Sequence, residues 1–298
     1  MSDTTPRNHA GLRPAGVRHR PPGAFVPRSL EEALEARAAH PEAVPVAGGT
    51  DLWVEANAHR LHPPALLDLS RVDELRAWER RNGTVFVGAG VTFTRVLDEL
   101  GAFPALVEAA RTIGSPQIRN RATIGGNLGT ASPAGDGIAV LAAYDAEVVA
   151  GAAGGRTRRI PLGEFLVGPK RTSLAPDELI LGVEWTPSPG SGSFAKVGRR
   201  NAMVISVASV CLQLDEEAHR VRLALGSVGP TVLRAPRAED FAAGLDWSHP
   251  NSGLEEFGRL AASDSRPIDD HRGTAAYRRH AVGVLAQRAL ARALEERC

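Results

Sequence analysis

Residues 114–136 read GSPQIRNRATIGGNLGTASPAGD, and the residue types here are those that hold a ligand by its polar groups. Five glycines (Gly114, Gly125, Gly126, Gly129, Gly135) are mixed with four hydroxyl residues (Ser115, Thr123, Thr130, Ser132) and two asparagines. Large apolar side chains are nearly absent, so the segment is expected to build no core. Glycine lets backbone N–H groups come close to a ligand and adopts positive φ, while hydroxyls donate to phosphate or ribose oxygens. The chemistry this implies is a nucleotide cradle, although a tight irregular loop between two helices has the same composition. A second loop, VPVAGGTD at residues 44–51, runs from a short β-type stretch through a glycine pair, a hydroxyl and a carboxylate into DLWVEANA. Strand, glycine turn and helix start can aim backbone amides at a phosphate. The loop has neither the Lys-Ser/Thr of a P-loop nor the third glycine of the dinucleotide fingerprint. No nucleophile–base pair stands out.

The elements that must position these loops follow from caps and periodicity. Ser29 with Glu32 three residues on is a capping box, and Leu30, Ala33, Leu34 and Ala38 share one helical face, which predicts a helix to about His40. Strands at residues 44–47 and 66–69 make the N-terminal region strand, helix, strand, which suits a small parallel sheet. Asn82-Gly83, between two extended runs at residues 78–86, predicts a hairpin. Thr92 caps a helix that Gly101 stops. Pro104 opens another, with Leu106, Ala109, Ala110 and Ile113 on one face and Gly114 at its end. The long glycine-rich segment therefore leaves a helix C-terminus. Residues 136–144 read as a helix, with Asp136 as a candidate N-cap. AEVVA and RRIPL around Gly154-Gly155 read as a second hairpin, and residues 178–185 and 194–197 add two antiparallel strands. From Met203 long strands (MVISVASVCLQLD, RVRLALGSVG) precede helices near residues 238–245, 254–262 and 274–297. Strands then helices predict an α+β fold, with a boundary at PSPGSG separating residues 25–188 from 189–298.

At 298 residues, 43% hydrophobic and with a net charge of +1, the chain can bury a sizeable core and shows no basic excess for nucleic acid. It has no apolar run of about 18 residues, hence no membrane span. Residues 1–24 are polar and rich in Pro and Gly without an apolar signal core, and read as a disordered tail of a cytoplasmic protein. Two cysteines, Cys211 and Cys298, exclude an iron–sulfur cluster of the chain's own, since a cluster takes about four thiolates. Cys211, within MVISVASVCLQL, reads as a buried small hydrophobe. His59 and His62 have a ligand-like spacing but no third partner nearby in the sequence.

AGGTD at residues 47–51, followed by ATIGGN at 122–127 and ASPAGD at 131–136, resembles the FAD-binding subunit of the molybdenum hydroxylases. Within that family the chain looks most like the flavin subunits of bacterial xanthine dehydrogenase, with the carbon monoxide dehydrogenase medium subunit as a relative, from about Phe25 to the C-terminus. The resemblance implies a two-part FAD-binding domain, with a small parallel sheet and an antiparallel sheet with helices, at residues 25–188. A C-terminal domain of a small antiparallel sheet and helices follows at 189–298. It implies that Ala47, Gly48, Gly49, Thr50 and Asp51 hold the FAD pyrophosphate, and that Thr123, Gly125, Gly126 and Asn127 contact the pyrophosphate and ribityl side. A Cβ at Gly48 or Gly125 would then block the backbone's approach to the cofactor while leaving the fold intact. Asp136 matches an acidic cofactor contact. Lys196 matches a strand lysine beside the isoalloxazine, where a cation stabilises the anionic reduced flavin; a solvated strand lysine is the alternative. Ile113 and Ile180 match apolar positions flanking the cofactor, and core packing is their alternative. Lys170 and Arg171 lie in a run shared with xanthine dehydrogenase-like relatives, without a role of their own. Arg199 and Arg200 follow Lys196 and serve either the same field or a partner surface.

By the same resemblance the FAD is non-covalent and the partners are a small [2Fe–2S] subunit and a large molybdopterin subunit, as a dimer of heterotrimers. Electrons from xanthine or hypoxanthine would pass through FAD to NAD. Flavin subunits for carbon monoxide, aldehydes or N-heterocycles stay open. So do a stand-alone oxidase or reductase of the related fold, and a structural subunit with an empty site. Many such oxidases carry a His or Cys near the first phosphate loop that bonds the flavin, and here that loop has neither.

Overall fold

The computed structural model describes residues 23–249 and 253–297. Three short parallel strands open the chain: β1 (Gly23–Phe25), β2 (Ala43–Val46) and β3 (Ala65–Asp68), with β3 in the middle. Parallel neighbours need crossovers. These are the helices α1 (Leu30–Ala39) and α2 (Leu52–Asn57). The Ser29 hydroxyl caps α1 by accepting the Glu32 amide at 3.2 Å, but Glu32 reaches back to the amide of Arg28 instead of Ser29. Gly23 and Ala24, expected in the N-terminal tail, belong to β1; residues 1–22 lie outside those described.

The chain then forms the hairpin β4 (Trp78–Arg81) and β5 (Thr84–Gly88), whose turn residues Asn82 and Gly83 both have positive φ (52° and 81°), as a type I′ turn requires. Helices α3 (Phe93–Glu99), α4 (Pro104–Thr112), α5 (Pro116–Arg119), α6 (Ile124–Thr130) and α7 (Asp136–Ala143) follow. After them come the hairpin β6 (Glu147–Ala152) and β7 (Arg156–Pro161), one turn of helix α8 (Leu162–Phe165), the ribbon β8 (Leu166–Gly168) and β9 (Arg171–Thr172), and β10 (Leu179–Trp185). The antiparallel sheet has the order β4-β5-β10-β6-β7.

The third sheet is antiparallel: β11 (Gly192–Val197), β12 (Ala208–Asp215), β13 (Arg220–Gly226) and β14 (Leu233–Arg234). The expected antiparallel strands at 178–185 and 194–197 thus sit in different sheets. Helices α9 (Pro236–Ala243), α10 (Leu254–Asp264) and α11 (Ala275–Glu295) complete the chain. Strand β12 is buried at every position, with α7 and α11 both packed on it. The strand expected from Met203 begins only at Ala208. Met203 takes a left-handed φ of 48°, and the Val204 carbonyl and the Ser206 hydroxyl bond side chains (Lys196 and Ser227), not a neighbouring strand.

One apolar cluster fills the N-terminal part and reaches across to Phe194, Cys211, Ala224 and Val232; a second joins β12 and β13 to α9, α10 and α11. The two parts therefore share core contacts. Cys211 is fully buried, which pushes its thiol pKa up, and Cys298 lies outside the described residues. Among the described residues no helix is long and apolar enough to cross a membrane, and no group of three or more potential ligands could hold a metal ion.

Candidate functional site

The two glycine loops meet backbone to backbone. Beyond β2 the chain passes through Ala47 and Gly48 to Gly49, whose φ of 74° is open to glycine at little cost. A Cβ on Gly48 would stand 1.9 Å from the carbonyl oxygen of Arg121 and 2.5 Å from its carbon. Gly48 is thus required by the second loop itself. Asp51 precedes α2 but makes no capping bond with its side chain; instead its Oδ2 accepts the Thr130 hydroxyl at 3.1 Å, from the end of α6. Thr50 stands between them, half-buried.

The second loop is more helical than its composition suggests. Ser115 caps the single turn α5, and Thr123, buried, caps α6 by accepting the Gly126 amide at 3.0 Å. The backbone of Thr123 also bridges to Thr92, so α6 starts from a fixed point beside α3. Contrary to expectation, the segment does contribute to the core: Ile124 and Leu128, four residues apart on one helical face, are both fully buried. That i, i+4 pair behind a threonine was the available signal. Gly125 lies on the same inner side, where a Cβ would come 2.5 Å from the Cβ of Ala89. The fold-neutral blocking expected of Cβ atoms at Gly48 and Gly125 therefore does not apply, because both positions face protein. Gly126 and Gly129 face outward. Beyond its own helix backbone, the one neighbour among the described residues within 4 Å of a Cβ on Gly126 is its cap, Thr123 Oγ1, at 3.1 Å.

Asp136 and Lys196 close the other end of the site. Gly135, not Asp136, occupies the cap position of α7, so the N-cap expectation for Asp136 is not met. The Asp136 carboxylate instead receives Lys196 Nζ at 2.5 Å, and the same ammonium donates to the carbonyls of Thr112 (3.0 Å) and Val204 (3.1 Å). With 9% and 7% of their side chains exposed, both groups are buried, which overturns the solvated reading of Lys196. Its three N–H donors are all spent within the protein. Burial pushes the Asp136 carboxyl up from the usual carboxylate range, against the pull of the Lys196 ammonium.

Asp136 Oδ1 and Asn127 Oδ1 are both buried and make no hydrogen bond. Two hydroxyls lie by Asp136, but Thr112 donates to the Ala109 carbonyl and Ser206 pairs with Ser227, whose own hydrogen goes to the Ser206 carbonyl. Asn127 Oδ1 faces α7, where a Cβ on Gly137 would stand 2.7 Å from it. Leaving a buried acceptor unpaired costs about 1–3 kcal/mol, so a ligand that brings a donor to either atom would be stabilised there. A bare glycine face for a diphosphate and buried acceptors for hydroxyl or imide hydrogens fit FAD.

Ile180, in β10, places its Cδ1 3.6 Å from where a Gly129 Cβ would be, beside α6. Ile113 follows α4, adjacent to the Thr112 carbonyl that Lys196 bonds, and packs on the core. Lys170 gains a structural part: its amide donates to the Ala131 carbonyl at 3.1 Å and its Nζ to Glu55 on α2 at 2.9 Å. It thereby ties the end of α6 to α2, as Thr130 and Asp51 do. Glu55 escaped the sequence reading, and Thr130 entered it only as a loop hydroxyl, because their partners lie 115 and 79 residues away. Arg199 bonds the His271 carbonyl and Arg200 the Met203 carbonyl, so both fasten the segment after β11.

Known proteins share this architecture. Residues 20–185 match the family described as the FAD binding domain in molybdopterin dehydrogenase, and residues 193–293 match the CO dehydrogenase flavoprotein C-terminal domain. The nicotine 6-hydroxylase medium subunit of Paenarthrobacter nicotinovorans is 32% identical over 273 residues, covering 90% of this chain and 95% of that one. The xanthine dehydrogenase FAD-binding subunit of Escherichia coli O157:H7 is 29% identical over 277 residues, covering 89% and 94%. Among solved structures, carbon monoxide dehydrogenase from Hydrogenophaga pseudoflava aligns with a TM-score of 0.84 and 28% identity over 93% of this chain and 98% of that one. The chain therefore belongs to the FAD-binding medium subunits of the molybdenum hydroxylases, and is an oxidoreductase subunit whose cofactor is FAD.

Proposed function

We propose that this chain is the electron-transfer subunit of a cytoplasmic three-subunit enzyme in which xanthine or hypoxanthine is oxidised at a molybdenum centre on a large subunit. In a dimer of such heterotrimers, [2Fe–2S] clusters on a small subunit would deliver the two electrons to the FAD held here, and with a proton taken up from solvent they would pass to NAD⁺ as hydride. Bound FAD supplies the junction between one-electron carriers and a two-electron acceptor. The chain supplies the seat. Backbone amides of residues 47–50 and the Thr50 hydroxyl take the pyrophosphate on one side, and the outward face of α6 at Gly126 takes it on the other. Gly48 lets the first loop close on the backbone of Arg121 and Gly125 lets α6 seat against Ala89, so that both loops can reach one diphosphate, with Thr123 as the cap that fixes α6 and Asp51 as its tie to α2. Asn127 and Asp136 offer their free oxygens to ribityl or imide hydrogens, and Ile113 and Ile180 line the apolar flank. Lys196 acts through Asp136: it holds the carboxylate in place by one oxygen and leaves the other as an acceptor. The observation that carries this reading is the two orphaned acceptors together with a glycine face that nothing among the described residues covers.

Anaerobic spectra test the division of labour. With only two cysteines, the FAD-loaded chain alone should stay oxidised with xanthine but bleach with NADH, since hydride exchange needs only the two cofactors face to face. Adding the iron–sulfur and molybdenum subunits should make xanthine bleach it. Bleaching of the lone chain by xanthine would sink the reading.

A further inference from the structure

Helix α2 carries Leu52, Trp53 and Val54, yet none of its residues is buried. Trp53 is 47% exposed, and its indole lies across the first loop: a Cβ on Gly49 would stand 2.5 Å from Trp53 Nε1 and 2.7 Å from its Cδ1. The indole N–H, a donor only, makes no hydrogen bond among the described residues. The helix that carries it is nonetheless well anchored, through Asp51 to Thr130 and through Glu55 to Lys170. A large aromatic ring is thus held over the phosphate loop with one face open to solvent.

We propose that Trp53 is a cofactor-binding residue whose open face stacks on the adenine of FAD. This rests on the placement of the pyrophosphate given above. FAD has a ring at each end of its diphosphate, and the two ends of this site differ. The end at Asn127, Asp136 and Lys196 is buried and offers acceptors, which suits the ring that must react away from water. The end at Trp53 is open and aromatic, and a π-face that stacks any base suits an adenine.

ADP carries the adenine and diphosphate of FAD without the flavin, so it probes this end alone. The full-length chain freed of flavin is titrated with ADP, following tryptophan fluorescence and, independently, heat of binding. Trp53→Ala should abolish the quench that ADP causes in the wild type, although Trp78, Trp185 and Trp247 remain, and should weaken ADP binding roughly 5- to 150-fold. Trp53→Phe should keep most of the affinity. No residue of α2 is buried, so both variants should melt as the wild type does. Gly126→Val serves as the control for the phosphate seat. If Gly126→Val loses ADP while Trp53→Ala binds it with the wild-type constant, the seat stands and the adenine role of Trp53 is overturned, including the case in which Trp53→Ala weakens subunit assembly instead. If Gly126→Val also binds ADP normally, the seat itself is misplaced and the adenine assignment falls with it.

Discussion

Gly48 and Gly125 stand in the same two motifs as Gly126, but they face opposite ways. At Gly48 and Gly125 the space a Cβ would need is filled by the backbone of Arg121 and by Ala89, whereas at Gly126 there is little but its own cap. A glycine-rich loop in this fold thus serves two needs at once. Gly48 lets one loop close on the other and Gly125 lets α6 sit against Ala89, whereas Gly126 leaves a bare outward surface.

The largest effect should come from filling the inward positions. Gly48→Val and Gly125→Val force a side chain into backbone or core atoms and should each cost about 4 kcal/mol or more, read as a collapse of the melting temperature together with loss of flavin. Flavin loss at an unchanged melting temperature would instead place these glycines against the ligand.

Next in size is the buried pair that closes the far end. Lys196→Met strands the Asp136 carboxylate, and removing one partner of a buried ion pair costs about 3–5 kcal/mol. Adding Asp136→Leu should recover most of that stability in denaturant unfolding while FAD binding stays weakened. Full recovery of FAD affinity in the double variant would show that Asp136 Oδ1 has no part in holding the cofactor.

How much of this was legible in the sequence depends on how far each cause reaches along the chain. Thr92 as a cap, Asn82-Gly83 as a hairpin and the small parallel sheet are settled by residues a few positions apart, and they read correctly, whereas the cap role of Thr123 was hidden by a loop-like composition. The direction a glycine faces depends on a backbone 73 residues away for Gly48, which no local pattern encodes. Asp136 looked like a cap because caps are local, but a lysine 60 residues on claims its carboxylate. Val204 and Ser206 lie in a run of β-type side chains yet bond Lys196 and Ser227, so tertiary partners override the local propensity.

The smallest effect belongs to the exposed ties that frame the open side. Lys170→Ala removes one exposed ion pair, worth at most about 1 kcal/mol, and should lower FAD affinity by no more than a few-fold in a calorimetric titration. A loss comparable to that of the inward glycines would mean that Lys170 reaches the cofactor itself.

Whether the outward face of α6 seats FAD is decided most directly by Gly126→Val. A Cβ there needs only a few tenths of an ångström from Thr123 Oγ1, and valine in a helix is favoured over glycine, so the fold should survive. The FAD-to-protein ratio of the purified chain, read from its visible spectrum beside a melting curve, is the measurement. The expected result is a colourless protein that melts within a few degrees of the flavin-free wild type; a folded Gly126→Val chain carrying FAD at the wild-type ratio would rule out this seat.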